Sequence, residues 1–155
     1  MRCTEGRTAT RSAADPYDGR MSDRGRTGTS VVVGALALDA ALVIVFAVVG
    51  RSSHAEGLDV AGVWGTAWPF LVGLAVGWTA ARAWRHPLAP WPTGVIVWAA
   101  TLVVGMLLRL ASDQGVQLAF VIVAALTLAI LLVGWRGVAA LIARRSGTRA
   151  ATGTP

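Results

Sequence analysis

Four apolar runs of about 20 residues each constrain the fold more than any other feature of the sequence. They cover residues 31–50, 62–81, 93–111 and 116–135. A helix that rises 1.5 Å per residue needs about 20 residues to cross a hydrocarbon core of roughly 30 Å. Only 14% of the residues are charged, and a soluble domain of 155 residues could not bury this much apolar surface. The sequence therefore predicts an all-α fold, an integral membrane bundle of four transmembrane helices.

The runs also divide the chain into three parts. Residues 1–30 are rich in Arg, Thr, Ser and Gly and are predicted to be a disordered basic tail. Residues 31–143 form the predicted transmembrane domain, and residues 144–155 form a polar C-terminal tail. Met21 is an alternative translation start, which would make the preceding residues an extension of the true chain.

The distribution of arginine predicts the orientation, because cytoplasmic segments of membrane proteins are enriched in positive charge. All the basic side chains apart from the histidines are arginines, and twelve of them fall on one side of the bundle. Those twelve are Arg2, Arg7, Arg11, Arg20, Arg24, Arg26, Arg82, Arg85, Arg136, Arg144, Arg145 and Arg149. The opposite side carries two, Arg51 and Arg109. We therefore expect both termini in the cytoplasm of a multi-pass plasma-membrane protein. We also expect contacts with anionic lipid headgroups rather than with nucleic acid.

Motifs of known enzymes are missing from the sequence. There is no P-loop, no GxGxxG after a strand, no HExxH and no GxSxG. His54-Ala55-Glu56 has the H-x-E spacing of zinc deaminases, but the partnering Pro-Cys-x-x-Cys is missing, and Cys3 is the single cysteine. We therefore expect a protein that is not an enzyme and that uses no cofactor and no metal.

Helical spacing predicts which sides of the spans face the protein interior. Asp39, Val43, Phe46 and Gly50 share one face of the first span. The third span carries a similar stripe of small, polar and aromatic residues, namely Gly94, Trp98, Thr101, Gly105 and Arg109. Small and polar residues mark protein-facing surfaces in membranes, so both stripes are predicted to face the bundle. Gly73 and Gly77 form a GxxxG pair, which predicts close approach of a neighbouring helix, and the sequence leaves open whether that helix belongs to the same chain or to another.

Asp39 is the only acidic residue within the four spans and is the first candidate for a functional site. Its distance from the inner boundary matches those of Thr101 and Thr127, at about 12 Å on a rise of 1.5 Å per residue. The three residues thus define a candidate intramembrane polar site, with Arg82 as the nearest arginine expected. A charged carboxylate facing lipid would cost on the order of 3 kcal/mol, so Asp39 should face inward and accept hydrogen bonds from one of the threonines. Two interpretations remain open, a proton or cation site and a structural hydrogen bond.

A second group of polar residues is predicted at the outer ends of the first and third spans. This candidate outer polar mouth consists of Arg51, His54, Glu56, Arg109 and Asp113. The alternative is that Arg51 and Arg109 are simple anchors, because long side chains at helix ends reach the headgroups.

Several short motifs in a fixed order give the chain a family resemblance. The motifs are 46–57 (FAVVGRSSHAEG), 68–73 (WPFLVG) with Gly77-Trp78, Pro92-Thr93-Gly94, 105–109 (GMLLR) and Gly134-Trp135-Arg136. Together they resemble the domain-of-unknown-function family numbered 3054, which is typical of high-GC Gram-positive bacteria. The resemblance covers about residues 31–138 and implies four membrane helices, but it implies no activity and no site residues.

Two functional classes follow from these observations. The first is a structural or accessory membrane component that binds partners or lipids. The second is a small transport or permeation protein that uses Asp39. Four spans are few for a complete transporter, so the second class would require a homo-oligomer.

Overall fold

The computed structural model describes the backbone of residues 18–53 and 59–151, and the side chains of residues 28–52 and 59–145. Within these ranges the chain is helical and contains no strand. The helices are α1 (Asp18–Ser53), α2 (Val60–Ala80), α3 (Val95–Ala111), α4 (Leu118–Leu128) and α5 (Trp135–Ala151).

Four helical stretches in the described ranges are long and apolar enough to cross a membrane. They are Gly28–Ser52, Val60–Ala80, Pro90–Ala111 and Leu118–Arg145. The prediction of four helices long and apolar enough to span a membrane is confirmed, and each predicted span overlaps one of these stretches. The first and last helices extend beyond the predicted spans, since α1 begins at Asp18 and α5 continues to Ala151.

The start of α2 is fixed by a capping aspartate. Asp59 has an extended backbone, and its carboxylate accepts a hydrogen bond from the Gly62 backbone N–H at 2.9 Å. This satisfies one of the free N–H groups of the first helical turn. Because α2 therefore begins at Val60, Pro69 lies inside the helix, where it is buried and leaves one backbone bond unmade.

Two further segments of the bundle depart from regular α-helix geometry, a kink before α3 and a π-helical segment between α4 and α5. Residues Pro90–Gly94 lead into α3 through an i→i+5 hydrogen bond from the Gly94 N–H to the Ala89 carbonyl, with Trp91 extended. Between α4 and α5, Ala129–Gly134 forms a π-helical segment, so α4 and α5 are one continuous helix with a widened middle.

α2 and α3 pack most closely, and two glycines explain why. A Cβ added at Gly73 would lie 2.7 Å from the Thr101 carbonyl oxygen, and one at Gly77 would lie 3.0 Å from the Val97 Cα. Both neighbours belong to α3, so the predicted close approach is confirmed and takes place within the chain.

The interior is filled by apolar side chains from all the spans. Phe46 and Phe70 meet edge to face with ring centroids 5.2 Å apart, and Phe120 lies beside both. The outward surface carries exposed Val, Leu and Ile along each helix, as expected of a surface that faces lipid.

Candidate functional site: a buried ion pair in the bundle

Asp39 lies in the middle of the spanning part of α1 and is completely buried, with 0% of its surface exposed. Its stripe on α1 directs it inward together with Val43 and Phe46, which are buried as well. The predicted inward face of α1 is thus confirmed for these three residues.

The carboxylate of Asp39 accepts four hydrogen bonds from three side chains. Trp78 of α2 donates its indole N–H to Oδ2 at 2.8 Å, and Trp135 of α5 donates to Oδ1 at 2.9 Å. Arg136 of α5 donates from Nη1 to Oδ1 at 2.9 Å and from Nη2 to Oδ2 at 2.6 Å. Each oxygen therefore has two donors, which fills the roughly four acceptor positions of a carboxylate.

Arg136 is itself fully buried and is held by more than Asp39. Its Nε donates to the Pro87 carbonyl at 3.0 Å, and Nη1 also donates to the Leu132 carbonyl at 2.7 Å. The guanidinium also lies 4.7 Å from the centroid of a Trp135 ring. The side chain thus ties α5 to α1 and to the loop that joins α2 to α3, residues 81–89.

Gly94 provides the room for this arginine. A Cβ at position 94 would lie 3.1 Å from the Arg136 Cδ, closer than an ordinary van der Waals contact. The kink at Pro90–Gly94 and the π-helical segment, which supplies the Leu132 carbonyl, therefore both contact the Arg136 side chain.

The π-helical segment explains how Arg136 comes to face the interior. Four residues spaced by four, Ala124, Leu128, Leu132 and Arg136, are all completely buried. In a regular α-helix each step of four overshoots a full turn by about 40°, so such a stripe would drift around the helix. An i→i+5 segment has more residues per turn, and Ala129–Gly134 therefore keeps the stripe on one face.

The electrostatics of the site are those of a paired, desolvated charge. A lone carboxylate at this depth would be costly, and the opposite charge with matching planar geometry offsets part of that cost. The two tryptophan N–H groups supply the remaining bonds, so no acceptor position of Asp39 is left for another donor. The arrangement can hold helices together, and binding a proton or cation at Asp39 would require one of these donors to leave.

The predicted threonine partners of Asp39 do not contact it. The Thr101 hydroxyl donates to the Val97 carbonyl of its own helix at 2.7 Å, and Thr101 lies beside Gly73. Gly73 is five residues from Trp78, about 7.5 Å along α2, which separates Thr101 from the level of Asp39. Thr127 is half-buried on α4. The predicted layer of Asp39, Thr101 and Thr127 is therefore replaced by Asp39, Trp78, Trp135 and Arg136.

The residues of the predicted outer mouth form separate local contacts. Arg51 pairs with Asp59 at 3.5 Å, which connects the end of α1 to the cap of α2. Arg109 donates to the Gln114 side chain at 3.0 Å and lies 4.5 Å from the Phe120 ring centroid. Asp113 is exposed beyond the end of α3, while His54 and Glu56 lie outside the described residues.

Arg136 is the member of the candidate site that sequence reasoning missed. Counting charges assigns an arginine at the end of an apolar run to the nearest membrane face, and Arg136 follows Trp135 directly. Its removal from the predicted cytoplasmic face leaves eleven arginines there against two, so the asymmetry persists. The buried stripe at 124, 128, 132 and 136 was the available signal, but its spacing is not that of a regular helix.

Comparisons with known proteins identify a domain family. A family model described as a protein of unknown function (DUF3054) matches residues 36–139, an interval that includes both Asp39 and Arg136. No curated protein and no solved structure matches the chain. The described residues contain no group of three His, Cys, Asp or Glu side chains that could hold a metal ion.

Proposed function

The chain belongs to the DUF3054 family of proteins of unknown function, and we propose that it is a structural or accessory component of the bacterial plasma membrane. In this proposal it binds partner proteins or lipids and carries out no chemical reaction. The observation that supports it is the saturation of the Asp39 carboxylate, because Trp78, Trp135 and Arg136 fill all of its hydrogen-bond acceptor positions.

A carrier or channel for protons needs a group that can exchange a proton during the cycle. Asp39 forms an ion pair with the Arg136 guanidinium, which also donates two hydrogen bonds to backbone carbonyls. Opening this site would break several charge-assisted hydrogen bonds at once. The same hydrogen bonds and ion pair suit a permanent link between α1, α2 and α5. An accessory protein requires such a rigid scaffold.

Transport remains the second proposal, because ionisable residues within membranes are functional sites by default. It would use Asp39 in a homo-oligomer. The transport proposal predicts a flux of protons or cations that depends on the Asp39 carboxylate, and the accessory proposal predicts no such flux.

Proteoliposomes loaded with a pH-sensitive dye separate the two proposals. We expect an imposed proton gradient to collapse at the same rate with the wild type and with Asp39→Asn, and no faster than in empty liposomes. A second assay should replace protons by a sodium or potassium gradient, again with the Asn variant as the control. Wild-type flux above that of empty liposomes would overturn the accessory role, and its loss in Asp39→Asn protein that unfolds at a Tm near the wild type would assign the transport to the carboxylate.

The proposed orientation places both termini in the cytoplasm, supported by eleven arginines against two. Single cysteines at Ser112 and at Ala89, in a background with Cys3→Ser, test it on intact cells. An impermeant maleimide should label position 112 and leave position 89 unlabelled until the cells are opened. Labelling at position 89 alone would reverse the orientation.

A further inference from the structure

The end of α2 has an arginine in a backbone conformation that ordinarily belongs to glycine. The Ala83 N–H donates to the Trp78 carbonyl and the Arg82 N–H donates to the Thr79 carbonyl. These two bonds form a Schellman motif, in which the residue after the helix cap is left-handed and is usually glycine. That residue is Arg82, with φ of +47°.

The other left-handed positions in the described residues follow the usual preference. Asp113 has φ of +53° after the end of α3, and Gly115 has φ of +70°. Glycine adopts this conformation without steric cost, and aspartate is among the residues that tolerate it best. A long arginine side chain brings no such advantage, so the conformation alone gives no reason for an arginine at position 82. Strain of this kind is a starting point for a functional hypothesis.

The Arg82 side chain has no polar partner among the described side chains. It is exposed, and it makes no hydrogen bond or ion pair with any residue whose side chain the structure describes. Arg85 and His86 in the same loop are exposed as well, and they join the loop through backbone bonds to Arg82 and Ala83. Three cationic or basic side chains are therefore presented at one end of the bundle.

Large apolar side chains lie on the same loop and beside it. Trp84, Leu88 and Trp91 are exposed, while Ala83 between the basic residues is completely buried and holds the loop against the bundle. Tryptophan at the boundary of a span is typical of the headgroup level of a bilayer. The loop thus combines basic side chains that can bind a phosphate with apolar side chains that can contact the adjacent acyl chains.

We propose that Arg82 and Arg85, on the loop between α2 and α3, form a binding site for the phosphate of an anionic phospholipid. The inference rests on the proposed function as a membrane component that binds lipids, and it names the lipid class and the residues. Guanidinium groups suit this role because their planar donors match phosphate oxygens. The C-terminal dipole of α2 favours cations nearby, but Arg85 or a residue within the last turn would satisfy it without the left-handed conformation.

The test compares two substitutions that relieve the same backbone conformation at different helix ends. Arg82→Gly removes a guanidinium from the proposed site, and the matched control Asp113→Gly relieves the same conformation at the end of α3. Purified protein is mixed with phosphatidylglycerol or with phosphatidylcholine in detergent, and retained lipid is counted by native mass spectrometry. Inorganic phosphate is added in a parallel series to distinguish a lipid site from a site for the free anion.

We expect the wild type to retain phosphatidylglycerol over phosphatidylcholine, and retention to persist in the presence of inorganic phosphate. Arg82→Gly should lower phosphatidylglycerol retention roughly fivefold, the effect of one arginine near an anionic headgroup. Its Tm should be equal to or above that of the wild type. Asp113→Gly should retain lipid like the wild type, and Arg85→Gln should lose retention as Arg82→Gly does.

Three results would overturn the site. These are unchanged retention in both Arg82→Gly and Arg85→Gln, equal retention of the two lipids by the wild type, and displacement of the lipid by inorganic phosphate. Should Arg82→Gly fold poorly, Arg85→Gln decides the question alone. Because lipid retention in detergent does not depend on orientation or on ion flux, failure here is distinguishable from failure in the maleimide or proteoliposome experiments.

Discussion

Arg136, near the α2–α3 loop, is completely buried against Asp39, whereas at the opposite end Arg51 and Arg109 are only partly covered. Arg136 makes five contacts with side chains and backbone at hydrogen-bond or ring distance, and its partner is equally buried. Arg51 pairs at 3.5 Å with Asp59, whose side chain is 63% exposed. Water can replace the exposed Asp59 carboxylate as a partner of Arg51, but it cannot readily replace the partner of Arg136.

The difference shows that the same residue type has two roles in this chain. At the opposite end the arginines fasten a loop to a helix end, as Arg109 does with Gln114 five residues later. At the α2–α3 end Arg136 joins segments 97 residues apart in sequence. Loss of a long-range joint should affect the whole bundle, and loss of a local contact should affect only a loop. The following substitutions test that contrast in order of decreasing expected effect.

Arg136→Met should be the most damaging single change. It leaves the Asp39 carboxylate buried without its charge partner, and breaking a buried pair in this way costs about 3–5 kcal/mol. The measurement is the thermal unfolding of purified protein in detergent micelles. A double variant that also carries Asp39→Leu should recover much of the loss, because replacing both charges by apolar groups can be nearly neutral. A double variant as unstable as the single would show that the pair is not the cause.

Trp78→Phe should have the next largest effect, because it removes one of the four donors to the carboxylate while keeping an aromatic ring. A hydrogen bond to a charged group is worth about 1.5–3 kcal/mol, and the lost donor has no water to take its place. Trp64→Phe is the matched control at the opposite end, where the ring is exposed and lines an apolar groove with Ile44 and Val60. Equal Tm changes in the two variants would show that the hydrogen bond from Trp78 does not stabilise the buried pair.

The sequence was sufficient for the helices and for one member of the pair. Span lengths follow from apolar runs, and the inward direction of Asp39 follows from its stripe with Val43 and Phe46, because both depend on regular helix geometry. The partner could not be derived in that way. Arg82 was the expected arginine, yet it is exposed in the loop, and Arg136 faces inward only because Ala129–Gly134 changes the helical phase.

The threonine expectation failed for a related reason. A hydroxyl within a span can donate to the carbonyl four residues earlier in its own helix, as Thr101 does with Val97, and then needs no partner on another helix. Depth alone therefore does not pair polar residues across a bundle. The indole N–H groups of Trp78 and Trp135 have no such local acceptor, and they reach the carboxylate instead.

Arg109→Lys tests whether the opposite end is more than a set of anchors. The guanidinium donates to both the side chain and the backbone carbonyl of Gln114 and lies over Phe120. A lysine keeps the charge but not the planar fork, so we expect a loss of about 1 kcal/mol in unfolding free energy. Arg109→Gln should lose somewhat more, because it also removes the charge above the ring. A silent Arg109→Lys would return this residue to the role of a simple anchor.

Arg51→Gln should have the smallest effect of the series. The pair with Asp59 is long at 3.5 Å, and ion pairs open to solvent contribute about 0–1 kcal/mol. The capping bond from the Gly62 N–H to Asp59 does not depend on Arg51, so the start of α2 should persist in the variant.

Asp59→Ala is the informative comparison, because it removes the cap as well and should cost about 1 kcal/mol more. Unfolding in micelles at low and high salt completes the test, since a weak exposed pair loses its contribution as salt rises. If Arg51→Gln is instead as destabilising as Arg136→Met at both salt concentrations, burial does not distinguish the two ends of the bundle.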